Sequence, residues 1–367
     1  MLLNSLLFNC KLSEGEFYSI RRNGENMAIT AKELAKKLGL SESAISLALN
    51  NKPGVSTYTR KKVVCAAKEF GYDFSRIHAQ ESPGASRGTI YFIFYRKHGA
   101  IVTDTPFFSQ LSAGVEAECQ IRHYDLNILY LYDEKNIDKL LLNWTRIGVK
   151  GIVLLGTEMS EQDFIPFKNS PIPLVLLDNY FENQEVDSVL INNVRGAFTA
   201  TNYLIQKRKQ QPGYLRSAYP INNFEKRADG FYKSIRENGM SPSRSIVHRL
   251  TPSVEGACAD MNVLLEDNEP LASCYFADND QIATGAIKAF REKGYRVPLD
   301  ISVIGFDDVP LCTYIEPPLS TIRVPKQYMG KLAVRRLCEL IQDPDNIPVK
   351  MEVATSLIDR KSISPRT

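Results

Sequence analysis

The sequence predicts a small all-α helix-turn-helix segment followed by a two-lobed α/β body. Three observations support this prediction. Three short helical patterns are crowded into residues 30–71, apolar strand patterns alternate with helical patterns from residue 89 onward, and a Gly/Pro/Ser-containing linker separates the two regions. A chain of 367 residues is also too long for one ordinary hydrophobic core.

The first region, residues 27–75, is called the head. Thr30 and Glu33 have capping-box spacing at the start of its first helix, and Gly39 is a typical residue to end that helix. Ser41 is a good N-cap for a second helix, and Ser56 for a third. Short helices joined by a tight glycine turn indicate a helix-turn-helix fold.

Residues 89–367, called the body, alternate between strand and helix patterns, which predicts parallel sheets covered on both faces. There are too many elements for one small sheet, so we expect two α/β lobes. The predicted strands are Thr89–Phe94, Leu126–Tyr130, Gly151–Leu155, Pro173–Leu177, Ser188–Ile191, Gly213–Arg216, Ala272–Phe276 and Ile301–Gly305. The predicted helices are 107–121, 134–146, 194–207, 224–238, 253–266, 280–293 and 325–342.

The positive charge of the chain is concentrated near its beginning. Residues 27–80 carry nine Lys/Arg against four Asp/Glu, a balance of +5, whereas the whole chain has a net charge of only +3. A basic module on a slightly acidic body is the asymmetry expected of a protein that meets a polyanion. A basic, solvated helical surface would give the same count, so charge alone does not decide.

Several function classes lack their signatures. The seven cysteines are scattered without a C-x-x-C pair, and there are only four histidines; this pattern argues against a disulfide framework or a common zinc site and fits a reducing cytoplasm. No apolar run reaches membrane-helix length. No dinucleotide loop, phosphate loop, H-E-x-x-H or G-x-S-x-G motif occurs. We therefore predict no catalytic residues, no metal, no cofactor and no enzyme activity.

Two separate sets of motifs resemble the lactose/galactose repressor family. In the head these are Ile29–Ala35, Gly39–Ser41, Ala44–Asn50, Val55–Ser56, Thr59–Arg60 and Gly71–Tyr72. In the body they are Asp278–Ala283, Val297–Asp308 and Pro317–Ile322. The resemblance covers about residues 27–360 and implies a cytoplasmic, homodimeric transcription regulator, a repressor of the helix-turn-helix class. Its body would have a periplasmic-binding-protein-like fold that binds an effector.

The resemblance also implies domain boundaries. Residues 76–88 would be the hinge or linker, the N-terminal lobe would take about 89–191 and 324–341, and the C-terminal lobe about 192–320 and 347–361. Residues 1–26 match no part of the family pattern. We expect them to be an extension that arises from a misassigned start, with Met27 as the true first residue.

In the family the N-terminal end of the second helix enters the major groove of palindromic operator DNA. Ser41 doubles as a helix cap in this prediction. Leu47 replaces a long polar side chain that the family often has, so base preference should differ. The residues that match the family's DNA-contacting positions are Thr30, Ser41, Glu42, Ser43, Ser46, Asn50, Thr59 and Arg60.

A sugar-type effector needs aromatic faces for the apolar side of its ring and charged groups for its hydroxyls. For Phe107 and Phe108 packing within the lobes is the alternative, and for Asp280 a helix cap. The effector candidates that match by position are Phe107, Phe108, Asp178, Arg227, Asp280 and Asp307.

The predicted mechanism is allosteric: lobe closure on the effector changes the spacing of the two heads of a homodimer on two DNA half-sites. A metabolite other than a sugar, or a protein corepressor, stays open. The alternative function is a cytosolic sugar-binding module with an impaired DNA-binding head.

Overall fold

The computed structural model describes residues 29–49, 54–70, 72, 86–102, 105–132, 136–344 and 346–365. The chain divides into two compact units, Met1–Ala85, which contains the head, and Ser86–Thr367, which contains the body. The predicted extension 1–26 and most of the predicted hinge lie outside the described residues. Within the described residues, no helix is both long enough and apolar enough to cross a membrane.

The head contains α1 (Ala31–Leu38), α2 (Glu42–Leu49) and α3 (Thr57–Glu69). The capping box forms as predicted, because Thr30 Oγ1 accepts a hydrogen bond from the Glu33 amide at 3.3 Å and the Glu33 carboxylate accepts one from the Thr30 amide at 2.8 Å. Apolar side chains from all three helices meet in one small core, which consists of Leu34, Ala35, Ile45, Ala48, Val63, Ala66 and Ala67.

The body alternates strands and helices, as predicted. Its strands are β1 (Thr89–Arg96), β2 (Asp125–Tyr132), β3 (Gly151–Leu155), β4 (Leu174–Leu177), β5 (Ser188–Ile191), β6 (Gly213–Ser217), β7 (Val247–Leu250), β8 (Cys274–Ala277), β9 (Ser302–Ile304), β10 (Thr321–Arg323), β11 (Lys350–Val353) and β12 (Ser356–Ile358). Its helices are α4 (Pro106–Ile121), α5 (Ile137–Arg146), α6 (Glu161–Phe164), α7 (Asn193–Arg208), α8 (Asn222–Glu237), α9 (Val254–Glu266), α10 (Asp280–Glu292), α11 (Leu311–Tyr314) and α12 (Lys326–Gln342). Ile165–Phe167 and Pro242–Arg244 form single 3-10 turns.

Two parallel sheets form the two lobes, which confirms the predicted fold class. The N-terminal lobe is built on the order β11-β5-β4-β3-β1-β2, and the C-terminal lobe on β7-β6-β8-β9. Every strand pair within these two sheets is parallel. Residues of β3, β5 and β8 are buried throughout, as expected where helices cover both faces of a sheet. The carboxyl ends of such strands form a common edge, where α/β proteins bind ligands.

The helix α12 is held against the N-terminal lobe by a very close crossing with α4. A Cβ atom on Gly114 would lie 2.1 Å from the carbonyl oxygen of Gln327, and one on Gly330 would lie 2.4 Å from that of Leu111. Only glycine allows two backbones to approach so closely. The contact fixes the start of α12 beside the lobe boundary, where Lys326 lies.

The chain passes between the lobes near residues 192, 324 and 354. One predicted boundary needs correction here, because segment 347–361 does not lie in the C-terminal lobe as a whole. β11 pairs with β5 in the N-terminal sheet, whereas β12 pairs with β10 in an antiparallel ribbon. The physical reason is hydrogen bonding: β5 would otherwise be an unpaired edge of a buried parallel sheet.

Candidate functional site

The head presents most of its predicted DNA-contacting side chains to solvent. Ser41, Glu42 and Ser43 lie together at the first turn of α2 and are exposed, and Ser46 is exposed one turn later. Ser41 Oγ accepts a hydrogen bond from the Ala44 amide at 3.1 Å, so the predicted cap exists. Hydroxyl groups in such positions can exchange water for phosphate or base contacts at little cost.

The remaining predicted head residues lie at other helix starts. Thr30 precedes α1, and Thr59 and Arg60 lie in the first turn of α3, where both are half-buried. Thr59 Oγ1 shares a 2.8 Å hydrogen bond with Ser56 Oγ. Asn50 lies outside the described residues.

In the body, a cavity opens between the carboxyl ends of the strands of the two lobes. All six predicted effector residues line it, although they come from segments up to two hundred residues apart. It contains about 530 Å³ of empty space, part of which is open to solvent. Its lining residues are Ile101, Thr105, Phe107, Phe108, Thr157, Asp178, Ile221, Asn223, Phe224, Arg227, Pro252, Asn279, Asp280, Gln281, Asp307 and Val309.

Arg227 of α8 is fixed by hydrogen bonds from each of its guanidinium nitrogens. Nε donates to Asn193 Oδ1 at 2.9 Å, Nη2 donates to Asp307 Oδ1 at 3.1 Å, and Nη1 donates to the carbonyl oxygen of Asp278. The guanidinium also lies 3.8 Å from the centre of the Phe306 ring, a favourable cation–π distance. The side chain is 3% exposed, so Arg227 is a rigid part of the cavity wall.

Asp178 directly follows β4 and lines the cavity with a buried carboxylate. Its Oδ2 accepts a hydrogen bond from Thr157 Oγ1 at 2.7 Å, whereas its buried Oδ1 accepts none among the described residues. Burial raises the pKa of Asp178 to about 6, against the lowering effects of Thr157, Arg227 and the nearby Asn223 amide. Leaving a buried acceptor unpaired is unfavourable, so this oxygen is ready to accept a hydrogen bond.

Asp280 and Asp307 follow the ends of β8 and β9. Asn279, rather than Asp280, caps α10, because its Oδ1 accepts a hydrogen bond from the Ile282 amide at 2.9 Å. The two oxygens of Asp280 accept from Thr321 Oγ1 at 2.5 Å and from the Val309 amide at 3.0 Å. Burial, together with the charge of Asp307, raises the pKa of Asp280 to about 7. Asp280 therefore braces the cavity wall with its existing hydrogen bonds.

The two phenylalanines that follow the first strand start α4. Phe107 and Phe108 are both buried, with ring centres 5.1 Å apart, and each also lines the cavity. The two predictions for these rings, lobe packing and an apolar face for a ligand, are therefore compatible.

Polar residues that the sequence did not single out join the lobes across the cavity. Asn223 Nδ2 donates to the carbonyl oxygen of Asp178 at 3.1 Å, and Asn193 Nδ2 donates to Asn223 Oδ1 at 2.9 Å. Lys326, almost fully buried at the start of α12, donates to the carbonyl oxygen of Asp307 at 2.6 Å. Thr157 could have been found from the sequence, since it closely follows a buried strand. The two asparagines and Lys326 are on helices, and no sequence pattern marks them as cavity residues.

Comparison with known proteins is consistent with this architecture. A family profile described as a periplasmic binding protein-like domain matches residues 201–363. The ribose operon repressor of Haemophilus influenzae is 30% identical over 338 residues, which cover 91% of this chain and 98% of that protein.

Two solved structures share the fold. The transcriptional regulator CelR in complex with cellobiose superposes with a TM-score of 0.66 at 24% identity, covering 91% of this chain and 99% of that one. The lac repressor dimer bound to operator gives a TM-score of 0.65 at 22% identity, covering 92% and 100%. The Haemophilus relative is 30% identical over nearly its whole length, and the two solved structures share the fold. The chain therefore belongs to the lactose/galactose repressor (LacI) family of transcriptional regulators.

Proposed function

We propose that this protein is a cytoplasmic repressor that binds operator DNA as a homodimer and releases or retains it according to a neutral sugar bound between its lobes. The head would contact DNA with Thr30, Ser41, Glu42, Ser43, Ser46, Asn50, Thr59 and Arg60. The body would hold the effector with Phe107, Phe108, Asp178, Arg227, Asp280 and Asp307.

The observation that carries the sugar proposal is the unpaired Oδ1 of Asp178. Asp178 lines the cavity, and its Oδ1 is buried without a hydrogen-bond partner among the described residues, so an occupant that donates a hydrogen bond to this oxygen would remove an unfavourable feature of the folded protein. A sugar hydroxyl is such a donor. The nearby Phe107, Phe108 and Phe224 supply the apolar surface that the ring face of a sugar requires.

The charges of the cavity favour a neutral effector over an acidic one. Arg227 is the one cation among its described lining residues, against three carboxylates. All three guanidinium nitrogens already donate to protein oxygens. A sugar acid or a sugar phosphate would bring another negative charge to a largely dehydrated site without a cation free to pair with it.

The contacts across the cavity suggest how occupancy changes the body. Asn223 links α8 of the C-terminal lobe to the backbone of Asp178 in the N-terminal lobe. Lys326, at the start of α12 of the N-terminal lobe, donates a hydrogen bond to the backbone of Asp307 in the C-terminal lobe. An effector that bonds Asp178 and packs on α4 would shift the balance between lobe arrangements. In a homodimer that shift would alter the spacing of the heads relative to two half-sites.

The direct test is binding of the purified full chain to DNA from upstream of its own gene across a salt series. Phosphate contacts predict a linear fall of log affinity with log salt. Ribose and cellobiose are then added as neutral probes, with glucuronate and ribose 5-phosphate as acidic counterparts of comparable size.

We expect sequence-preferring, strongly salt-dependent binding that a neutral sugar changes and the acidic compounds do not. Absence of DNA binding at every salt concentration, with or without sugars, would overturn the operator part and favour the sugar-binding module. A response to the acidic compounds alone would overturn the neutral-sugar part. A response that appears only with another protein present would instead indicate a corepressor.

A further inference from the structure

A buried carboxylate outside the predicted site organises one loop of the effector cavity. Glu158 follows β3 and is 6% exposed. Its Oε2 accepts hydrogen bonds from the amides of Lys97, His98 and Gly99 at 2.9, 3.0 and 3.0 Å. Its Oε1 accepts from the next two donors, the amides of Ile101 and Val102, both at 2.8 Å.

These five hydrogen bonds fix almost the whole of segment 97–102, which is called the β1 loop. The loop has no helix or strand of its own, so its amide groups need other acceptors. A carboxylate that accepts several backbone N–H groups binds them more strongly than a neutral acceptor would. Burial alone would raise the pKa of Glu158, but the amide donors outweigh it, so the pKa lies below its usual value.

A second contact ties the same loop to the same neighbour. Lys97 Nζ donates to Asp163 Oδ2 at 2.8 Å and to Ser160 Oγ at 3.2 Å. Both partners lie just beyond Glu158 in the chain. The β1 loop is therefore attached to segment 158–163 by backbone and side-chain contacts alike.

The β1 loop forms part of the cavity wall. Ile101 lines the cavity directly, and Val102 beside it is completely buried. Thr105, Phe107 and Phe108, which also line it, follow soon after in the chain. The position of the loop therefore determines how much room an occupant has on this side.

We propose that Glu158 is a positioning residue for the effector site: its carboxylate holds the β1 loop in the shape that places Ile101 against the bound ligand. This inference rests on the proposed effector function. The proposal consists of two claims that can be tested separately. The first is that Glu158 orders the β1 loop, and the second is that the order of this loop determines the affinity for the ligand.

The first claim is tested without any ligand by hydrogen exchange, followed by mass spectrometry on peptides of the full chain. Glu158→Gln keeps the size of the side chain but turns one acceptor oxygen into an NH₂ group that faces amide donors. We expect exchange of residues 97–102 to accelerate by about tenfold or more, the effect of losing at least one charge-assisted hydrogen bond. Exchange of β3 should not change.

Glu161→Gln is the matched control, because Glu161 lies in the same segment but accepts its hydrogen bond from Gln184 Nε2. Equal exchange of the β1 loop in the wild type and in both variants would overturn the proposal. If Glu158→Gln does not fold, Glu158→Asp keeps the charge with a shorter reach and should show the same local effect. A wild-type loop that exchanges as fast as an unstructured peptide would overturn it as well.

The second claim is tested by calorimetric titration with ribose. We expect Glu158→Gln to weaken ribose binding by about tenfold or more, and Glu161→Gln to leave it unchanged. Faster loop exchange with unchanged ribose affinity would overturn the role in the effector site. If the wild type binds neither ribose nor, in a second titration, cellobiose, that result contradicts the neutral-sugar proposal and the role of Glu158 in the effector site, while the exchange experiment still decides whether Glu158 orders the loop.

Discussion

The head and the effector cavity differ in how their polar side chains are solvated. Ser41, Glu42, Ser43 and Ser46 are exposed at the start and along one face of α2, and the hydrogen bonds of Ser41 with Ser43 and with the Ala44 amide lie within three residues of the chain. In the cavity, Asp178 and Arg227 are 2% and 3% exposed, and their partners come from distant segments.

This difference has an energetic consequence. Exposed side chains on the head remain hydrated until DNA displaces the water, so changing them should alter binding with little effect on folding. The cavity carboxylates are already dehydrated in the folded protein, and their raised pKa values record that cost. Changes in the cavity should therefore alter stability and binding together. The following predictions test this contrast, from the largest expected effect to the smallest.

Replacing Arg227 with Met should give the largest loss of stability. The guanidinium is the direct cationic partner of the Asp307 carboxylate, at 3.1 Å, and it also satisfies Asn193 and the backbone of Asp278. Removing one member of a buried ion pair costs about 3–5 kcal/mol. Urea unfolding of the full chain at pH 7 measures the change.

The neighbouring Lys226→Met removes the same charge from the same helix and serves as the control. Lys226 pairs with Glu182 at 3.3 Å near the surface, where such pairs contribute about 0–1 kcal/mol. If the two variants lost equal stability, the distinction between a buried and a solvated cation would not hold here.

Asp178→Asn should stabilise the protein without ligand while weakening its sugar binding. Burial raises the pKa of Asp178 from 3.8 to about 6, which corresponds to a cost of about 3 kcal/mol for keeping the carboxylate ionised in the folded state. Asparagine avoids that cost. We expect a gain approaching that value at pH 8, and a loss of ribose affinity by calorimetry.

The sign of the pH dependence follows from the raised pKa. Below pH 3.8 Asp178 is protonated in both the folded and the unfolded state, and its ionisation does not destabilise the protein. This favourable situation is lost as the pH rises through about 6. The stability that Asp178→Asn gains over the wild type should therefore be roughly half as large at pH 5 as at pH 8. Asp163, whose pKa is lowered by its contacts with Lys97 and Ser160 despite burial, should behave oppositely: Asp163→Asn should be destabilising at neutral pH. A gain for Asp178→Asn that did not vary with pH would rule out ionisation as its cause.

The contrast also explains what could be predicted from the sequence. Head helices begin and end on local signals, such as the Thr30–Glu33 box and Gly39, and these formed as expected. Strongly apolar strands such as Gly151–Leu155 and Ser188–Ile191 have the predicted bounds. β7, β10, β11 and β12 were not among the predicted strands, because they lack a continuous strongly apolar run and their pairing depends on distant partners.

The cavity residues divide in the same way. Asp178, Asp280 and Asp307 could be proposed because they follow strands and match family positions. Lys326 is on a helix and had no such signal. Glu158 follows a strand, but its role could not be predicted, because the amides that it binds lie about 60 residues away. From the sequence alone, a glutamate that follows a strand would be predicted to lie at the surface. Only the structure shows the five amides that Glu158 binds.

Thr30→Ala should reduce the stability of the head by a smaller amount. The variant removes the cap of α1, a loss of about 1 kcal/mol. Hydrogen exchange of Ala31–Leu38 in the full chain should accelerate by about fivefold, and Thr30→Ser should restore protection because it keeps the hydroxyl. Weaker operator binding without faster exchange would indicate that Thr30 contacts DNA and does not stabilise the helix.

Arg60→Gln should have a small and defined effect on DNA binding. Arg60 lies in the first turn of α3, where we propose a phosphate contact. Losing one such contact should weaken binding to all sequences alike and reduce the salt slope by about 1. Arg244→Gln, an exposed position of the body, changes the net charge equally and should leave the slope unchanged. If both variants reduced the slope alike, the salt dependence would come from overall charge, and the head would not contact DNA through α3. If Arg60→Gln alone reduced it while stability stayed the same, the head would differ from the cavity as proposed, because its binding groups could be removed without a cost to folding.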